Sequence, residues 1–492
     1  MSFLLNEAFD FFCGCFDENS LNENGIRKYI EGFAGCAPCT LLFNLNAQKA
    51  IFDSKVWEPI WKDLEKQPDG SFLYRGQKKF FPFVARTKKM FDAVPDPFGV
   101  AVKACREIGI RPFFSMRMND VHHVDDPNSV QVSDFWREHQ DCLTASYTPA
   151  GFWWGRTFDY ACPEIYQHHL ALVREYFERF DIDGLELDWM RSPYYLKPGY
   201  EIDDAHILTQ FMRDSRKLAD QAEKKYGHPV ELIVRLPPRP DDARKMGFDV
   251  PAWATEKLIS RVVLTSYFGS TDYDYPLELW RSLLGNEIKL TASLEFLSKG
   301  KPEDARFPVT PEIVFGHAAS FYYRGSDDIY LFNFFDTMNS WHIFDTPNDA
   351  AVNLTRIHQT VGIREKVEAQ KRRHIVSFTD TFSRAWGYLP DPILPRKANQ
   401  WPPAFLRLNV GGAVKGRTAT AVIAWNGDEP EKVLCNGIPC IKSTDKFTGG
   451  LPQNIEEPAV YKIPDGILKD GDNMLYFEGN CSITWCEIDI ES

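Results

Sequence analysis

Eight short apolar runs recur through the first two thirds of the chain, each followed by a longer stretch of helical periodicity. The runs are Phe3 to Glu7, Thr40 to Asn46, Arg111 to Arg117, Gly184 to Trp189, Val230 to Leu236, Arg261 to Tyr267, Ile288 to Glu295 and Ile329 to Asn333. Between them lie patterns such as Pro163 to Phe180, where Ile165, His169, Leu172, Val173, Tyr176 and Phe177 return at helical spacing, and Asp203 to Tyr226. Strands that alternate with helices build a parallel sheet, and eight of them close into a (β/α)8 TIM barrel, an α/β fold. Beyond Ile363 the pattern changes to short alternating strands punctuated by Gly, Pro, Asn and Asp, as in ATAVIAWNGDE and GDNMLYFEGNCSITWCEIDI, which predicts a C-terminal β-sandwich. The expected domains are thus a barrel over 1–362 and a sandwich over 363–492. A proline-rich stretch with Pro390, Pro392, Pro395, Pro402 and Pro403 would stiffen the connection.

Composition narrows the function classes. Apolar residues make up 44% of the 492 positions and charged residues 25%, a profile that supplies large buried cores and does not indicate disorder. A formal charge of −13 argues against a general nucleic-acid or anionic-membrane binder, because those need a basic field. An anionic ligand would have to be caught by local arginines. The N-terminal MSFLLNEAFDFF lacks the pattern of a signal peptide, and no apolar run is long enough to span a bilayer; a cytoplasmic location is expected for the chain as given, or a secreted one if the start was trimmed. Eleven scattered cysteines fit reduced thiols better than a disulfide framework. Cys36 and Cys39 form a CxxC near Cys13 and Cys15, a weak zinc signal without a matching second pair, so neither metal nor cofactor is expected. Oligomeric state stays open, a homodimer among the options.

The chemistry concentrates at strand ends. In DIDGLELDWMRSP, strand alternation puts Gly184, Glu186 and Asp188 on one face and Leu185, Leu187 and Trp189 on the other. The apolar set must meet the helices, so both carboxylates point toward the barrel axis, with Asp188 at the rim. Burying them unpaired costs several kcal/mol, which favours either catalytic use or a lock to an inward arginine such as Arg117 or Arg235. The seventh strand repeats the pattern with Thr291, Ser293 and Glu295. Paired carboxylates are what glycoside hydrolysis needs, and their separation decides between retention and inversion.

The third strand runs into RMNDVHH, which sets Arg117, Asn119, Asp120, His122 and His123 at one rim. Histidine titrates near neutrality and suits acid or base work, while arginine's planar fork matches a carboxylate or sulfate; His122 and His123 with nearby carboxylates could alternatively ligate a metal. Arg191 after the fourth strand and Asn333 at the end of the eighth complete a ring. Its two arginines suit an anionic substrate or simply neutralise Asp188 and Glu186. Asn6, Glu7 and Asp10 bring polar groups to the same rim from the first strand, and Tyr267, Phe152, Trp153 and Trp154 offer flat faces for sugar rings. Three functions fit: an exo-acting hydrolase of a terminal acidic sugar; a hydrolase of neutral or sulfated polysaccharide that uses Asp188 and Glu295 as acid and nucleophile; and a non-catalytic carbohydrate-binding barrel. The expected partner in each case is an oligosaccharide or polysaccharide.

LDWMR at the fourth strand and the early strand LLFNLNAQ resemble the broad superfamily of glycosyl-hydrolase-like barrels. More narrowly, RMNDVHH with Arg191 and Asn333 is similar to the inverting exo-sialidases of glycoside hydrolase family 156. That resemblance implies that Arg117 and Arg191 hold the sugar carboxylate, that Asn333 adds a hydrogen bond, and that His122 works with a first-strand carboxylate on a water. Where the family places an aspartate just after the first strand, this chain has Glu7, with Asp10 three residues on.

Overall fold

The computed structural model describes all residues except 1, 8–15, 37, 79, 127, 148–152, 268, 335–346, 379–392, 400–403 and 456. Eight parallel strands form a closed barrel: β1 (Phe3–Glu7), β2 (Cys39–Asn44), β3 (Arg111–Arg117), β4 (Gly184–Asp188), β5 (Glu231–Leu236), β6 (Arg261–Leu264), β7 (Lys289–Glu295) and β8 (Asp328–Phe332). Each pairs with its successor, and β8 returns to β1 through Phe3–Ile329, Leu4–Tyr330 and Leu5–Leu331. Helices Pro163–Arg179, Ala205–Tyr226, Leu277–Leu284 and Pro311–Tyr323 fill crossovers between strands. The expected strands and helices are present, with ends shifted by up to a few residues. The connections after β2 and β3 are long, as predicted; they carry the small hairpin Leu64–Lys66/Phe72–Tyr74 and short helices.

Strand alternation divides the apolar residues into two populations. Leu185, Leu187 and Trp189 join Leu172, Tyr176 and Phe211 in the layer between strands and helices. Leu4, Leu42, Phe113, Ile233, Val263, Tyr330 and Phe332 form a separate cluster inside the barrel. Gly184 makes that plug fit, since a Cβ there would lie 2.3 Å from the Phe113 ring. The missing side chain on β4 is the space that Phe113 of β3 occupies.

The C-terminal region forms two antiparallel sheets, as expected for a sandwich. One contains β9 (Arg372–Ile375), β10 (Arg396–Lys397), β12 (Ala419–Gly427), β15 (Ile441–Lys442), β16 (Ala459–Ile463) and β18 (Cys481–Ile490). The other contains β11 (Phe405–Asn409), β13 (Lys432–Cys435), β14 (Ile438–Pro439) and β17 (Asp472–Glu478). Leu406, Leu408, Ile423, Val433, Leu475, Phe477 and Ile488 make its core. The sheets are seated closely on the barrel, for the backbone oxygen of Arg373 approaches Gly316 of helix Pro311–Tyr323 to where a Cβ would be 2.0 Å away. Of the proline-rich stretch, Pro390, Pro392, Pro402 and Pro403 lie outside the described residues. No described helix is long and apolar enough to cross a membrane.

Candidate active site at the barrel mouth

Inside the barrel the polar residues lie above and below the apolar plug. At the lower end Arg261 bonds Thr291 Oγ1 at 2.6 Å and pairs with Asp328. On the mouth side, Glu186 accepts hydrogen bonds from Ser115 Oγ (2.7 Å) and Tyr330 OH (2.9 Å), both on Oε1, while its Oε2 is buried without a partner. Burial first, then the neighbouring Asp188, push this carboxyl up to about 7. Asp188 is locked to Arg235 through two contacts of 3.1 and 2.9 Å and accepts from the Met190 backbone at 3.0 Å. Arg235 in turn donates to Thr265 (3.1 Å) and stacks 3.7 Å over the Phe332 ring. Of the two roles the sequence left open for Asp188, this geometry is that of the lock to an inward arginine.

Above this layer the RMNDVHH segment folds back on itself. Asp120 is buried and receives Arg117 Nη1 on one oxygen (2.8 Å) and His122 Nδ1 on the other (2.8 Å), the latter oxygen also accepting from the His122 backbone at 3.0 Å. Burial alone would raise the Asp120 carboxyl, but His122, Arg117 and Arg191 hold it well below the usual carboxylate range. The second ring nitrogen of His122, Nε2, lies 2.7 Å from Arg191 Nη2. A guanidinium only donates, so Nε2 must be the acceptor and Nδ1 carries the proton. Asp120 pulls the His122 pKa upward, yet burial and Arg191 outweigh it and leave the imidazole below its ordinary value. Burial, followed by repulsion from Arg191, lowers Arg117 to about 10. Arg191 Nε is buried with no acceptor among the described residues.

His122, His123, Asp125, Arg191, Ser192 and Tyr267 line a cleft of about 310 Å³, at the small end of ligand pockets. Larger grooves, of about 450 and 550 Å³, lie elsewhere, the first against Pro240, Phe248 and Trp280 and the second along the sandwich loops at Lys415 and Asp465. Three residues around the mouth adopt left-handed backbone: His123 (φ 59°), Ser192 (φ 51°) and Asn333 (φ 65°). Such conformations cost free energy in residues other than glycine and tend to collect at functional sites.

The remaining candidates divide clearly. Glu295 accepts from Asn333 Nδ2 at 2.8 Å and from the Phe296 backbone at 3.0 Å, and burial raises its pKa against the pull of Asn333 and Arg235. Burial likewise raises the Tyr267 phenol. Asn119 turns away from the cleft: its amide donates to the carbonyls of Phe158 (3.1 Å) and Tyr194 (2.9 Å) and accepts from Phe158 N (3.0 Å), so it ties loops together. Glu7 ends β1, but its side chain, with those of Trp153 and Trp154, lies outside the described residues, as do Asp10 and Phe152 entirely. Ser192 and Asp125 were not anticipated; nothing but their proximity to Arg191 and His123 in sequence signals them. Among the described residues, no group of three or more potential ligands could hold a metal ion.

No family model matches the chain, and no curated protein matches it. Among solved structures it is similar to an Anoxybacillus alpha-amylase, at 10% identity and a TM-score of 0.39 over 100% of this chain and 98% of that one. It is similar also to alpha-L-fucosidase isoenzyme 1 from Paenibacillus thiaminolyticus (11%, TM-score 0.34, 97% and 96% covered) and to chitinase ChiW from Paenibacillus sp. str. FPU-7 (9%, TM-score 0.42, 98% and 53% covered). The likenesses are with barrel enzymes that act on sugars, and at these identities and TM-scores no functional conclusion rests on them.

Proposed function

We propose that the chain is an exo-acting glycoside hydrolase of a terminal acidic sugar. The observation that carries this reading is the placement of Arg191, a cation held against the imidazole of His122 instead of a carboxylate, with its Nε unpaired among the described residues. A sugar carboxylate in the cleft gives Arg191 a better partner, because charged, bidentate hydrogen bonds are the stronger ones. Its departure frees His122 Nε2 to take a proton from water. Asp120 meanwhile fixes the Nδ1–H tautomer and stabilises the imidazolium that forms, the role an aspartate plays beside a catalytic histidine. A cleft near 310 Å³ suits one sugar ring at a chain end more than an internal segment of a polymer.

The resemblance to family 156 makes sialic acid the most specific substrate and inversion the stereochemistry, with Glu7 or Asp10 as the second acid or base. The competing pair, Asp188 and Glu295, is less suited, since Asp188 is occupied by Arg235. The test is incubation with aryl glycosides of sialic acid, of uronic acids and of neutral sugars. Turnover of an acidic glycoside is expected. Turnover of neutral glycosides alone would overturn the proposal, and a glycan that binds without cleavage would mark a binding protein instead.

A further inference from the structure

The segment after β3 contains a pair of cysteines that the catalytic reading does not use. Cys142 ends a short turn, Gln140–Cys142, and Cys162 is the residue before helix Pro163–Arg179. Between them the chain doubles back as an antiparallel ladder. Leu143 bridges Phe158, Thr144 N donates to Thr157 O at 2.8 Å, the hydroxyls of Thr144 and Thr157 meet at 2.8 Å, and Asp159 N donates to Cys142 O at 2.8 Å. Cys162 N donates in turn to Asp159 O at 3.1 Å. This path carries both cysteines to the open end of the ladder, Cys142 against Asp159 and Cys162 one turn beyond it, where each thiol lies within the other's electrostatic influence. Cys142 is buried and Cys162 is partly exposed, so Cys162 is the member of the pair nearer to solvent.

We propose that Cys142 and Cys162 form a redox-active dithiol whose oxidation to a disulfide ties off the base of this hairpin. The thiolate of Cys162 attacks a small disulfide oxidant of the glutathione type. The oxidant's sulfur–sulfur bond breaks, one thiol leaves and a mixed disulfide remains on Cys162. Cys142 then attacks Cys162 Sγ and expels the second thiol. Two protons and two electrons pass from the pair to the oxidant. Burial raises both thiols, Cys162 to about 12, so the exchange quickens as pH rises above neutrality. The hairpin grips the site segment, with Phe158 holding Asn119 and Tyr160 OH donating to the Met118 carbonyl at 2.7 Å. The cross-link therefore braces the stretch between Arg117 and Asp120. The proposal does not depend on the identity of the substrate.

The test is treatment of the intact protein with oxidised glutathione at mildly alkaline pH, followed by peptide mapping under non-reducing conditions and thermal melting. A Cys142–Cys162 linked peptide, with a Tm a few degrees above that of the reduced protein and reversed by reductant, is expected. Cys142→Ser and Cys162→Ser should each abolish the rise, separating it from any pairing in the sandwich. Glutathione adducts on the single thiols without the linked peptide, or pairing of either with another cysteine, would overturn the proposal. The wild-type map decides the matter even if a variant fails to fold.

Discussion

His122 stands between opposite charges, with Asp120 2.8 Å from Nδ1 and Arg191 2.7 Å from Nε2. The ring is thereby fixed in one tautomer and kept neutral, the state a general base needs. Replacing His122 with alanine should lower kcat/KM on an acidic aryl glycoside by roughly 10²- to 10⁴-fold, the usual worth of a positioned base. Glu295→Gln should keep most of the activity; the opposite pattern in steady-state kinetics would transfer the chemistry to the carboxylates.

The same geometry sets a pH profile. Because His122 lies below its ordinary 6.5, the acid limb of kcat/KM should fall at a pH lower than that, and Arg191→Met should move it upward by removing a repulsive neighbour. A limb above 6.5 in the wild type would contradict the assignment.

Stability should also decline in acid. His169, His317 and His358 are pushed by burial from 6.5 to about 4. The folded protein thus binds fewer protons than the unfolded chain between these values, so stability is full above about pH 6.5 and is lost as pH falls toward 4. Each histidine contributes a slope of up to roughly 1.4 kcal/mol per pH unit. Denaturant melts at stepped pH measure it, and a flat profile across that window would show that these rings are not buried and neutral.

Asp188→Ala leaves the buried Arg235 without its directly paired carboxylate and should cost up to about 3–5 kcal/mol. Changing both together, Asp188→Leu with Arg235→Met, should recover much of that loss in urea melts, because the pair's main energetic weight is the penalty for breaking it. Equal destabilisation by the single and double changes would argue against the pairing.

Gly184→Ala pushes a methyl into the Phe113 ring and should destabilise by about 1–3 kcal/mol or more through overpacking. Phe113→Leu in the same chain should restore part of it. Chemical denaturation of the single and double variants is the measurement.

Much of this was legible in alternation alone. The period of two on β4 and β7 placed Glu186, Asp188 and Glu295 inside the barrel, since Leu185, Leu187 and Leu294 had to face helices. What alternation cannot give is the partner across the barrel. Asp188 lies level with Arg117 on β3 and with Arg235 on β5 alike; that Arg235 holds it follows from Arg117 turning to Asp120 beyond the strand end, and no local pattern encodes that choice. Asn119 misled for a related reason, because past Arg117 the chain leaves the strand and parity stops predicting direction. The approach of Cys162 to Cys142 was hidden by a hairpin whose strands are only a few residues long.

The press of Gly316 against the Arg373 carbonyl carries an evolutionary and practical consequence. Two units joined by so close a backbone contact do not behave as interchangeable beads. A chimera that grafted other sheets onto this barrel would have to preserve both the bare position on the helix and the strand that docks there. The join is a seam cut to fit, and recombination at that boundary should be poorly tolerated.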